Sequence, residues 1–308
     1  MTTQPAPSTP TPDQPHMSAI HLAMLLIGAL LVLASLGSLA IEDFREMPQG
    51  LAMALAGTGL GIAAILVGAA GLGRSISAGA PAGNGEPGAG TTGPVRLSGR
   101  LDPGLSRWMW LVKWFLAIPH LVVLLLLWVA FGVVTVAAGL VILATGRYPA
   151  SWFQFSVGVL RWQWRVSYYA YGVLGTDDYP PFTLARGNYA AQFDVAYPAR
   201  LSRWKVLVKS WLLALPHLLV IGALSGGSWD TEDTGITLLG VLVLIAAVIL
   251  LVTGRYPQGL FDLILGLNRW IQRTVAYVVL LTDAYPPFRL DQGPEEPVPS
   301  QAPGPAAI

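Results

Sequence analysis

The chain contains no cysteine, and only 11% of its 308 residues are charged. The first absence excludes disulfides, thiol catalysis and thiolate metal ligands. The second excludes an ordinary soluble domain, in which roughly 25% of residues are Asp, Glu, Lys or Arg. Lysine is scarce as well: of 18 basic residues just three are Lys, at 113, 205 and 209, so positive charge rests mainly on guanidinium forks. No phosphate-binding glycine loop, nucleophile elbow, His-Glu-x-x-His pair or nucleic-acid module occurs. The chain is accordingly read as no enzyme, with no cofactor, no metal site and no nucleic-acid partner.

Apolar residues are abundant. They make up 54% of the chain, and the mean hydropathy is +0.57, which predicts an all-α integral membrane protein. Residues 1–18 are a Pro-rich tail that cannot bury enough apolar surface to fold, and 292–308 repeat that composition. The run Ala19 to Ile41 matches the thickness of a roughly 30 Å hydrocarbon core. No basic residue precedes it, so it is read as a retained span rather than a signal peptide. A short acidic loop around Glu42 leads to a second span, Leu51 to Leu72, in which Gly57 and Gly61 share a face and permit close helix approach. Residues 19–72 form a predicted hairpin, and the Gly- and Pro-rich stretch 73–94 a flexible linker.

From there the chain is written twice. The first copy (95–190) reads LSRW from Leu105, PHL from Pro119, TGRYP from Thr145, RWQWR from Arg161 and YPPF from Tyr179. The second (191–291) reads LSRW from Leu201, PHL from Pro216, TGRYP from Thr253, RWIQR from Arg269 and YPPF from Tyr285. Such duplication signals one module used twice. Between the His and Gly motifs the second copy is longer by a polar, acidic stretch, Ser225 to Gly235, which no bilayer core accepts. Placed at a turn, it makes each copy a helical hairpin: about 109–127 and 131–145, then 206–224 and 236–253. About six transmembrane helices in three hairpins result. They leave Arg45 on one side and the other 17 basic residues on the opposite, cytoplasmic side, with both termini. Two crossings per copy give both copies one orientation, a tandem parallel repeat.

After each TGRYP comes an apolar but interrupted segment, predicted as an interfacial amphipathic helix. Arg161 and Arg165, or Arg269 and Arg273, lie one turn apart on it. With Arg147 and Arg255 of the Gly-Arg-Tyr-Pro motifs they are candidate sites for anionic phospholipid headgroups, because a guanidinium binds phosphate bidentately. Thr176-Asp177 and Thr282-Asp283 are expected to cap turns, with either Asp paired to an Arg.

The ordered string LSR, PH, GRYP, RWxxR, YPPF, carried by Leu105 to Phe182 and again by Leu201 to Phe288, resembles the bacterial membrane family known as domain of unknown function 4389. The resemblance implies a multi-span plasma-membrane protein with no established activity and supplies no catalytic residues. The insertion and the change from RWQWR to RWIQR set the copies apart.

His120 and His217 are the intramembrane polar candidates, since ionisable groups inside spans are costly and tend to be functional. Each follows a proline that leaves a carbonyl without its donor, at Phe115 or Leu212, which the imidazole is expected to satisfy. The functional expectation is a structural or interaction protein that engages membrane lipid and is free to form a homo-oligomer. The alternative is a transporter or channel with a site at the repeat interface near the two Pro-His motifs.

Overall fold

The computed structural model describes residues 18–41, 47, 49–78, 93–225 and 237–293. The two tails up to 17 and from 294, the acidic loop 42–46, the linker segment 79–92 and the insertion 226–236 lie outside the described residues.

Helix α1 (Ala19–Ser38) pairs with α2 (Gly50–Ala78). Glycines set their separation: a Cβ at Gly61 would lie 2.8 Å from the Gly28 carbonyl oxygen, and one at Gly28 would lie 2.7 Å from that of Gly61. Gly57 abuts Ser35. The Gly57/Gly61 face therefore packs inside this hairpin. Helix α2 continues six residues past the predicted end at Leu72, because Ser75 and Ser77 return their hydroxyls to the carbonyls of Leu72 and Gly73 at 2.7 and 3.0 Å.

Strand β1 (Val95–Gly99) and strand β2 (Ala191–Val195) pair antiparallel, with Leu97 opposite Phe193. An all-helical reading omits this sheet. Arg100 donates its amide to the Ala190 carbonyl at 2.9 Å, and Ala196 donates to Pro94 at 2.8 Å. Alternation along such a ladder turns the carbonyls of Leu97 and Phe193 away from the partner strand, toward the two edges. Their side chains face a common core, in a buried–intermediate alternation on both strands.

The first copy corrects the predicted hairpin. Helix α3 (Met109–Thr145) is continuous over 37 residues, so no turn separates Leu127 from Phe131. The segment Trp128-Val129-Ala130 holds no glycine, proline or polar residue to break it, and Pro119 is accommodated within the helix. At 1.5 Å per residue α3 has a contour of about 55 Å. It ends at Gly146 in the left-handed region, φ 72°, where a Cβ would be strained. Helix α4 (Ala150–Ala170) follows.

In the second copy the corresponding helix is divided. α5 (Arg203–Val208) runs into a π turn (Lys209–Leu213) and then α6 (Leu215–Ser225). One residue explains the π turn: Lys113 precedes His120 by seven positions, whereas Lys209 precedes His217 by eight. The extra residue widens one turn, seen as an i to i−5 bond from the Ala214 amide to the Lys209 carbonyl at 3.0 Å. Helix α7 (Leu238–Thr253) and helix α8 (Gln258–Val278) complete the chain. Both α4 and α8 are followed by a leucine in the left-handed region, Leu174 at φ 61° and Leu280 at φ 68°.

Four helical stretches are long and apolar enough to cross a membrane by length and composition: Ala19–Ser38, Gly50–Ala78, Met109–Thr145 and Arg203–Gly222. Leu238–Thr253 is a shorter apolar helix. Just before α3 the Ser106 amide donates to Asp177, and just after it the Gly146 carbonyl accepts the amide of Leu201.

Deleting Ser210 restores the first copy's spacing and should turn the π turn into regular α-helix. The melting temperature of the purified protein should stay within a few degrees of the parent. Deletion of Leu219, which shifts the helix where no residue is in excess, should abolish cooperative melting.

Candidate functional site

Within each copy the recurring motifs converge on one histidine. His120 is buried, and its Nδ1 accepts the indole N–H of Trp162 at 3.1 Å. The Phe182 ring stacks on it with centroids 3.8 Å apart and planes 16° apart, and Tyr179 lies 4.8 Å away. The second copy reproduces this: Trp270 donates to His217 Nδ1 at 3.1 Å, Phe288 stacks at 4.0 Å and Tyr285 lies at 4.9 Å. Because Nδ1 accepts, the neutral ring carries its proton on Nε2. Neither Nε2 has a hydrogen-bond partner among the described residues, so the imidazoles do not satisfy the carbonyls of Phe115 and Leu212 as expected. In the first copy the Tyr179 hydroxyl donates to the neighbouring Leu116 carbonyl at 3.0 Å. Each histidine is enclosed by its own copy; among the described residues no hydrogen bond or ring contact joins His120 to His217.

One to two turns earlier on the same helices sits a buried lysine that sequence reasoning passed over. Lys113 Nζ donates to the Thr176 carbonyl at 2.6 Å, pairs with Asp177 at 2.8 Å and stands 5.1 Å over the Tyr169 ring. Lys209 does the same with Thr282, Asp283 and Tyr277, at 2.6, 2.8 and 4.9 Å. The aspartates before YPPF thus pair with lysine rather than arginine. Their second oxygens accept the amides of Ser106 and Ser202 at 2.6 Å, which anchors LSRW. The available signal was the rarity of Lys: two of three fall at matching positions inside otherwise apolar helices.

Arg161, Arg165, Arg269 and Arg273 are buried, not displayed at an interface. Arg161 donates to the carbonyls of Phe193 and Leu184 at 3.0 and 2.7 Å and pairs with Asp194 at 3.1 Å. Arg269 donates to the carbonyls of Leu97 and Gly293 at 2.9 and 3.1 Å, and also to that of Asp291. Arg165 reaches the Ala185 carbonyl at 3.0 Å, and Arg273 pairs with Asp291 at 2.6 Å. Burial pushes the Arg165 pKa down to about 10, which still leaves it charged at neutral pH. These four side chains hold backbone in place, because a buried guanidinium needs its donors filled. Their sequence pattern, two arginines one turn apart on an amphipathic segment, is shared by headgroup-binding and internal arginines. The strands, which the sequence reading lacks, supply acceptors to Arg161 and Arg269, and the loops 183–185 and 291–293 supply the rest.

Arg147 and Arg255, by contrast, are exposed. Each neighbours an arginine from the other copy. Arg203 lies against Gly146, and a Cβ at Gly254 would fall 2.5 Å from Nε of Arg107. Arg107 and Arg203 are also exposed, and the adjacent Trp108 and Trp204 are 65% and 77% exposed. Two exposed Arg-Trp clusters, Arg107-Trp108 and Arg203-Trp204, thus sit each beside the Gly-Arg-Tyr-Pro turn of the opposite copy.

The arrangement defines a helical protein with membrane-length apolar helices, in which twin sets of motifs close twin His-Trp-Phe and Lys-Asp-Tyr clusters around a small sheet. Residues 107–183 and 235–289, one segment in each copy, match the family model of a domain of unknown function, DUF4389. No curated protein and no solved structure matches the chain.

Replacing Trp162 with Phe removes the donor to His120 Nδ1 and should cost about 1–3 kcal/mol of unfolding free energy, as for a buried acceptor left unpaired. Changing His120 to Phe as well should recover much of that loss. Denaturant unfolding of the three purified variants measures both effects.

Proposed function

We propose that the protein is a multi-pass protein of a bacterial plasma membrane with a structural or interaction role, engaging anionic phospholipid on its cytoplasmic face. The observation that carries this reading is the pair of exposed Arg-Trp clusters, Arg107-Trp108 and Arg203-Trp204, which lie against Gly254 and Gly146, the glycines that precede the exposed Arg255 and Arg147. Exposed arginine beside exposed tryptophan suits the headgroup layer, where the ring lies between apolar and wet surroundings and the fork binds phosphate. The buried arginines have a different task and contribute to lipid binding only by maintaining the fold.

The two copies share one orientation, related by an axis along the membrane normal, and their strands lie on one face of the membrane. The pairing of β1 with β2 supports this parity. Both termini are cytoplasmic, as the sorting of basic residues favours. Transport along a path at the two histidines is the weaker reading, since each imidazole is sealed by tryptophan and phenylalanine of its own copy.

Two experiments test the proposal. Changing Arg107, Arg147, Arg203 and Arg255 together to Gln should leave the protein inserted and weaken its binding to vesicles rich in anionic lipid. Each basic residue near a charged surface contributes about 1 kcal/mol, so the loss should approach roughly a thousandfold. Unchanged affinity would leave these arginines with no role in lipid binding. Because cysteine is absent, single cysteines report topology cleanly. Cysteines at Ser77, Asn188 and Gln292 should be labelled from the cytoplasmic side, and one at Ile41 from the other. Labelling of Asn188 from the side opposite to Ser77 would overturn the parity.

A further inference from the structure

The two copies differ at one position beside the sheet. The antiparallel pairing relates β1 to β2 about the Leu97–Phe193 pair, so Val95 corresponds to Ala191 and, two residues earlier, Gly93 corresponds to Tyr189. In the first copy the Tyr189 hydroxyl donates to the Asp178 carbonyl at 2.9 Å, next to the YPPF motif, with Arg165 close by. In the second copy glycine takes its place, and the space is a small solvent-open pocket of about 70 Å³. Its lining includes Gly93, Arg273, Ala284, Tyr285, Pro286 and Arg289. These are the counterparts of the residues that surround Tyr189, with Arg273 for Arg165, Ala284 for Asp178 and Arg289 for Thr183. Among the described residues a Cβ added at Gly93 meets no atom within 4 Å.

We infer that this cavity binds a small aromatic acid, with its ring where the tyrosine ring lies in the first copy and its acidic group toward Arg289. Prolines and Tyr285 supply flat apolar walls, and a phenol-sized ring is the shape the fold already accommodates at the matching position. The replacement of Thr183 by Arg289 sets the charge. Arg289 bonds Asp291 through Nε at 3.0 Å, lines the cavity and remains 40% exposed, which leaves it a candidate partner for a carboxylate at the rim. The site is separate from the exposed Arg-Trp clusters and does not depend on the lipid reading.

The probe is 4-hydroxybenzoate, added to the full-length protein in detergent and followed by titration calorimetry. One saturable site per chain is expected. Gly93→Tyr should fill the cavity from within, abolish binding and raise the melting temperature. Arg289→Gln should weaken binding tenfold or more, because a hydrogen bond to a charged group is lost. Tyr189→Gly should open the matching space in the first copy and add a second, weaker site that lacks the arginine. Neutral phenol binding as tightly as the acid, or inorganic phosphate competing as well as the acid, would overturn the assigned ligand class. Absence of saturable binding to the parent protein, or binding that persists unchanged in Gly93→Tyr, would overturn the site itself.

Discussion

The structure depends on two guanidinium groups that reach across to the strand introducing the other copy. Arg161, on α4 of the first copy, bonds the Phe193 carbonyl of β2, and Arg269, on α8 of the second, bonds the Leu97 carbonyl of β1. These two carbonyls belong to residues directly opposite each other in the ladder, and both point outward. A two-stranded sheet has two open edges and is marginal by itself. Here each edge is capped by a charge-assisted bond from the copy on that side. Packing follows the same exchange: Tyr168 meets Phe261, and Tyr256 donates to the Val173 carbonyl at 2.7 Å.

Around that crossing each copy is fastened to itself. The LSRW amide, the buried lysine, the Thr-Asp pair, the histidine and YPPF form one connected set per copy. This gives a physical reason for five short motifs to recur in the same order although the residues between them drift. The drift is tolerated where it does not move these contacts. One added residue between Lys209 and His217 becomes a π turn, which keeps both Lys209–Thr282 and His217–Trp270 in register.

The membrane-length helices and the repeat motifs were legible because they rest on composition and on order along the chain. The sheet was not. Five residues reading VRLSG or AQFDV alternate too briefly to stand out, and they become strands only because each finds the other and an arginine finds both. The hairpin inferred for the first copy failed for a related reason. An insertion in one copy showed where a turn is tolerated there, but Trp128-Val129-Ala130 has no residue that demands one in the other. The buried arginines were misplaced because amphipathic spacing states which face a residue occupies, and leaves open whether lipid or a strand covers that face.

Hydrogen–deuterium exchange of Arg161→Lys tests the central claim most directly, because lysine keeps the charge and loses the fork. If the strand exchange couples the copies, protection should fall in β2 and also in β1 and α8, on the far side of the ladder. Faster exchange confined to α4 and its own loop, with β1 and α8 protected as in the parent, would contradict the account.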